Sequence, residues 1–132
     1  MELEIFIAAS ALLIVQQFVA AMLKVAQSDV GFSWGLGSRD EQKPSSVLTG
    51  RAERAAGNML ATFPIFVGLV CLLVATESST ASSETGAIIY LFARIAFFLI
   101  YLFVTVPMVR TVAWGASIFG MAKMALVLLS AA

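Results

Sequence analysis

Apolar residues in this chain come in four long runs rather than in the stripes of a water-facing fold. Each run is close to the roughly 20 residues that a helix needs to cross the hydrocarbon core of a bilayer. The predicted spans lie at about 3–24, 50–76, 86–107 and 111–131, with one long polar connection at about 25–49. Gln16 and Gln17 interrupt the first run, which ends at Lys24. Pro64 falls inside the second, where neighbouring membrane helices can satisfy the freed carbonyl, so a kinked helix is expected there. Pro107 punctuates the end of the third and Arg110 marks the water boundary before the fourth. The pattern predicts a single all-α domain over 1–132, an integral membrane four-helix bundle.

Composition agrees. The chain has 132 residues, 61% hydrophobic and 12% charged, against about 45–50% apolar and about 25% charged in soluble domains. The first run does not read as a cleaved signal peptide, because Glu2 and Glu4 stand where a basic segment belongs. With a net charge of zero, nothing points to a nucleic-acid partner. The one cysteine, Cys71, has no intrachain partner, and with no histidine no Cys/His metal spacing exists. Lys24, Arg39, Lys43, Arg51 and Arg54 gather in the first connection and its edges, and Arg110 in the third. Basic loops stay inside, so the long loop is expected to be cytoplasmic and both termini non-cytoplasmic.

An ionisable residue at membrane depth costs on the order of 2.5–3.5 kcal/mol on insertion scales and so needs a reason. Arg51, Arg54, Asn58 and Thr62 follow steps of 3, 4 and 4 along the second span, one polar stripe at helical spacing. On the third span Tyr101 lies seven residues after Arg94, two turns on and on the same face. Two such stripes predict a polar cavity between helices that suits an anion, since guanidinium forks bind carboxylate or phosphate bidentately. Plainer roles stand beside this one. Arg51 and Arg54 are also placed to snorkel to headgroups, Arg110 to mark topology, and Asn58 to make an interhelical hydrogen bond. Lys123 takes no role, and Cys71 lies too far from the basic residues to be activated.

Two stretches together resemble a known family. The loop carries Ser38-Arg39-Asp40-Glu41, and the second span opens Leu48-Thr49-Gly50-Arg51-Ala52-Glu53-Arg54-Ala55-Ala56-Gly57-Asn58 and continues through Thr62, Pro64 and Phe66. The later spans add Arg94, Tyr101, Arg110-Thr111 and Trp114. This pattern resembles the MAPEG family, membrane-associated proteins in eicosanoid and glutathione metabolism, over essentially the whole chain. The loop looks most like the bacterial branch.

The resemblance implies a homotrimer in a bacterial inner membrane, with glutathione as co-substrate bound between subunits and a lipophilic small molecule arriving from the lipid. Positions matching Arg54, Asn58, Arg94, Tyr101 and Arg110 line or support the family's site, with Arg51 as an addition. Arg110 is the candidate for holding the glutathione sulfur as thiolate, Thr111 a hydroxyl donor beside it, and Arg39 the alternative. A positive charge near the sulfur is what a thiol needs to lose its proton near neutral pH. One departure stands out. The glutamate that relatives carry three residues after the asparagine, where it can accept the ligand's ammonium, is Ala61 here.

Two functions follow, a glutathione-dependent transferase or peroxidase and a non-catalytic member that binds lipid or a partner. A small proton-coupled exporter has the right size but wants a membrane-embedded carboxylate. The acids here sit at span ends or in loops.

Overall fold

A computed structural model describes residues 1–27 and 29–131; Ser28, inside the expected loop, and Ala132 lie outside the described residues. Among the described residues every regular element is helical: α1 (Glu2–Val25), α2 (Gly31–Leu36), α3 (Val47–Ala75), α4 (Ala81–Phe103) and α5 (Pro107–Ala131). Four of them are long and apolar enough to cross a membrane. The chain is an all-α, multi-pass integral membrane protein.

Helix boundaries depart from the hydropathy reading where capping chemistry decides. Ser46 accepts the Thr49 backbone N–H at 3.2 Å, so α3 starts three residues before the expected Gly50. At α4, Thr80 and Ser83 form a reciprocal capping box that starts the helix at Ala81, five residues early. The third span was expected to reach residue 107 and the fourth to begin at 111, but α4 stops at Phe103 and Pro107 is the first residue of α5. Proline disfavours helix in the residue before it yet suits the first helical position, where its missing N–H is not needed. Arg110 and Thr111 are thereby helical residues in the opening turns of α5. The expected loop also contains α2, and Gly35 lets it lie against α1, since a Cβ there would meet Val25 Cγ1 at 2.5 Å.

The core runs along α4, which is buried against α1, α3 and α5. Tyr90 stacks on Phe66 of α3 with ring centroids 4.0 Å apart. Towards the loop end small residues take over, Ala20 of α1, Ala52 and Ala55 of α3 and Ala113 of α5, packed with Phe97 and Phe98. α4 and α5 meet closely at a pair of glycines. A Cβ on Gly86 would come within 2.6 Å of the Gly120 carbonyl oxygen, and one on Gly120 within 2.5 Å of the Gly86 oxygen. Such small-residue contact is how membrane helices gain packing without a hydrophobic drive between them.

Polar clasps close both ends. Buried Glu2 accepts a hydrogen bond from Ser83 Oγ at 2.6 Å, tying α1 to α4. At the other end Lys24 Nζ donates to the Lys43 carbonyl and to Ser45 Oγ. Gln27 donates to the Pro44 carbonyl at 3.1 Å and accepts the Ser46 N–H at 2.9 Å. The polar loop is thus folded down onto the bundle.

Candidate functional site

The stripe Arg51, Arg54, Asn58 and Thr62 turns to α4 along its whole length. Arg51 Nη1 donates to the Leu102 carbonyl at 3.3 Å, satisfying one of the open carbonyls in the last turn of α4. One turn on, Arg54 Nε donates to Tyr101 Oη at 3.3 Å. Asn58 Oδ1 and Thr62 Oγ1 then accept from Arg94 at 2.8 and 2.5 Å. Helical spacing on α3 and the seven-residue step on α4 put these groups face to face.

Arg94 is fully buried. Its guanidinium carbon lies 5.6 Å from the ring centroids of both Tyr90 and Phe97, so aromatic faces supply part of the stabilisation that water would. Among the described residues it forms no ion pair, and its Nε has no hydrogen-bond partner. Arg94 therefore stands behind the wall of the site rather than in it.

The opening itself is a cavity of about 280 Å³ at the loop end of the bundle, lined by Asn58, Phe97, Tyr101, Arg110, Thr111 and Trp114. Three helices contribute. The Tyr101 ring is the centrepiece, with the Arg110 guanidinium 4.6 Å from its centroid and that of Arg54 5.9 Å from it. Thr111 Oγ1 rests on the Pro107 carbonyl at 3.2 Å, a local bond that a hydroxyl can exchange by rotation. None of the lining residues is acidic. Donors outnumber acceptors around this space, which therefore suits an anion with an apolar portion against Phe97 and Trp114.

The predicted site residues thus fall into groups. Asn58, Tyr101, Arg110 and Thr111 meet at the cavity; Arg54 and Arg94 brace Tyr101 and Asn58; Arg51 holds the end of α4. Arg39 is elsewhere, donating to the Gly35 carbonyl from Nε and Nη2 and lying 5.7 Å from the Trp34 ring. Asp40 accepts from Ser38 and Glu41 pairs with Lys43, while Glu53 accepts from Ser45 at 2.7 Å. These acids do not take the place that Ala61 leaves empty of charge. Phe97 and Trp114, apolar in type, are lining residues that a search for polar groups passes over. Tyr90, buried beside Arg94 and outside the lining, is missed as well; its signal is its place one turn before Arg94.

Among the described residues no cluster of His, Cys, Asp or Glu is arranged to hold a metal ion. No curated protein and no solved structure matches the chain. The family model described as MAPEG family matches residues 5–130. A match over almost the entire length, on a bundle of four apolar spans, means that the chain belongs to the MAPEG family.

Proposed function

We propose that the protein is a glutathione-dependent membrane transferase or peroxidase acting on lipophilic electrophiles, working as a homotrimer in a bacterial inner membrane. The reading rests above all on one observation, the meeting of Arg110, Thr111, Tyr101 and Asn58 around one cavity. Six of the eight basic residues lie at the loop end, so that end faces the cytoplasm, where glutathione is found, and both termini face away. The cavity is open, and a neighbouring subunit closes it.

In this reading the Asn58 amide donates to a carboxylate of glutathione, and Arg54 beside Tyr101 adds positive charge to the same end of the cavity. Arg110 stabilises its sulfur as thiolate once the thiol proton has left to solvent. Thr111 turns its hydroxyl from Pro107 to donate to that sulfur. The thiolate attacks an electrophilic carbon delivered through the lipid, forming a C–S bond as the leaving group departs with its electron pair. With a hydroperoxide, attack on the O–O bond gives an alcohol and a sulfenic acid, which a second glutathione converts to disulfide and water. Arg110 is positioned for either reaction, because both begin from the same thiolate.

Titration calorimetry with glutathione tests binding, and the ultraviolet absorbance of bound thiolate tests activation. Both signals are expected from the wild type, and Arg110→Ala is expected to lose the thiolate signal and the conjugation of an aryl halide. Absence of binding at millimolar glutathione overturns the proposal. The cavity's lack of any acid favours a second reading, a non-catalytic member that binds lipid or a partner. Binding without a thiolate signal supports it.

A further inference from the structure

A second cavity, of about 260 Å³, lies between α1, α2 and α3 and shares no residue with the first. Its polar lining is Gln17, Lys24, Trp34, Arg39 and Glu53. Lys24 Nζ is 5.8 Å from the Trp34 ring centroid and the Arg39 guanidinium 5.7 Å, so two cations share one indole. Arg39 reaches it from a left-handed backbone, φ 58°, an unusual conformation for a residue with a side chain. Both cations keep binding capacity. Lys24 uses two of its three N–H donors and Arg39 leaves Nη1 unbonded among the described residues. Among the described residues, none of Lys24, Arg39 and Glu53 is in an ion pair.

The cavity continues through Gln17 into an apolar groove of about 630 Å³ lined by Leu13, Ile14, Phe18 and Leu60. Ile14 and Phe18 are about two-thirds exposed. The distance along α1 from Lys24 to Leu13 is about 16 Å at a rise of 1.5 Å per residue. That is about half of the roughly 30 Å hydrocarbon core. Head cavity and groove therefore occupy one leaflet, with cations and an indole at the boundary where such residues anchor to headgroups.

We propose that this surface is a phospholipid site selective for a headgroup bearing a primary ammonium, as in phosphatidylethanolamine. The phosphate lies on Lys24 and Arg39, the ammonium on the Glu53 carboxylate, and one acyl chain along Leu13, Ile14, Phe18 and Leu60. The carboxylate is what selects the headgroup. A purely anionic lipid satisfies the two cations but is repelled by Glu53, and a choline head offers no N–H to it.

Native mass spectrometry tests this on the full chain, stripped of lipid and then offered equal amounts of phosphatidylethanolamine, phosphatidylglycerol and phosphatidylcholine with the same acyl chains. The wild type is expected to retain phosphatidylethanolamine over phosphatidylcholine by about threefold, the scale of one partly exposed charge pair. Glu53→Gln is expected to abolish that preference without lowering phosphatidylglycerol, and Lys24→Gln with Arg39→Gln to lower all three. Equal retention of the three lipids by the wild type, or a preference that survives Glu53→Gln, overturns the proposal. Displacement of the lipid by glutathione also overturns it, by assigning the cavity to the thiol site. The wild-type selectivity decides the headgroup by itself, so a variant that fails to fold leaves the test intact.

Discussion

Arg94 Nη1 donates to Asn58 Oδ1 at 2.8 Å, and this contact decides which end of the Asn58 amide is left for the cavity. A guanidinium has no acceptor, so the amide oxygen is committed to Arg94 and the two Nδ2–H groups remain. Asn58 is thereby a donor, suited to a carboxylate rather than to an ammonium. Arg94 is a positioning residue that acts through it.

Asn58→Asp separates the two sides of this contact. The new carboxylate gives Arg94 the counter-ion it lacks, and thermal unfolding in detergent is expected to show a gain on the order of 1 kcal/mol. The cavity loses its amide donor and gains a negative charge, so glutathione affinity by calorimetry is expected to fall about tenfold or more, the loss of one charge-assisted bond. A variant that is more stable and also binds more tightly contradicts the assignment of Asn58 as donor.

Tyr101 is read by two substitutions. Tyr101→Phe keeps the ring under Arg110 and removes the hydroxyl that Arg54 contacts. Its thiolate absorbance with glutathione is expected to stay near that of the wild type. Tyr101→Leu removes the ring face, worth about 0.5–1 kcal/mol to an exposed cation, and a severalfold loss of thiolate signal is expected. Equal behaviour of the two variants shows that the ring does not hold Arg110.

Ala61→Glu supplies the carboxylate that the family resemblance leads one to expect at this position. Ala61 is exposed on α3, so the new side chain is accommodated without disturbing the core. Glutathione is expected to bind up to about fivefold more tightly, the upper range of an exposed charge pair. An analogue lacking the amino group is expected to show no gain.

The α4–α5 contact predicts stability. Gly86→Ala and Gly120→Ala each drive a methyl group into backbone, and each is expected to lower stability by about 1–3 kcal/mol. Gly115→Ala, also in α5, meets nothing within 4 Å. It is expected to be neutral or to stabilise by about 0.5–1 kcal/mol through lost unfolded-state freedom.

How much of this was legible in the sequence depends on whether the cause is local. Membrane-length apolar runs are local, and so is the stripe of Arg51, Arg54, Asn58 and Thr62, each of which contacts α4. Arg94 and Tyr101 share a face as their spacing required, but spacing did not show that Arg94 would be sealed behind Asn58 while Tyr101 meets the cavity. That follows from packing against Tyr90 and Phe97. Arg39 was unreadable for another reason. Its position depends on a left-handed backbone and on Gly35 admitting α2 to the side of α1, neither of which leaves a periodic trace. Pro107 was misplaced because a proline between two apolar runs ends one helix or begins the next with equal ease.

The backbone contact of Gly86 with Gly120 bears on how the cavity can change size. Two helices in contact at their main chains have no side chains between them to yield, so α4 and α5 move as one stiff hairpin. Phe97, Tyr101, Arg110, Thr111 and Trp114 all belong to that hairpin and keep their mutual spacing. Asn58 alone stands on the other wall, on α3. There Pro64, six residues further on, deprives the helix of one rung and makes bending cheap. Breathing of the cavity is therefore expected as a swing of α3 against a fixed jaw, and it strains the bonds of Arg51 and Arg54 to α4, farthest from Pro64, more than that of Asn58.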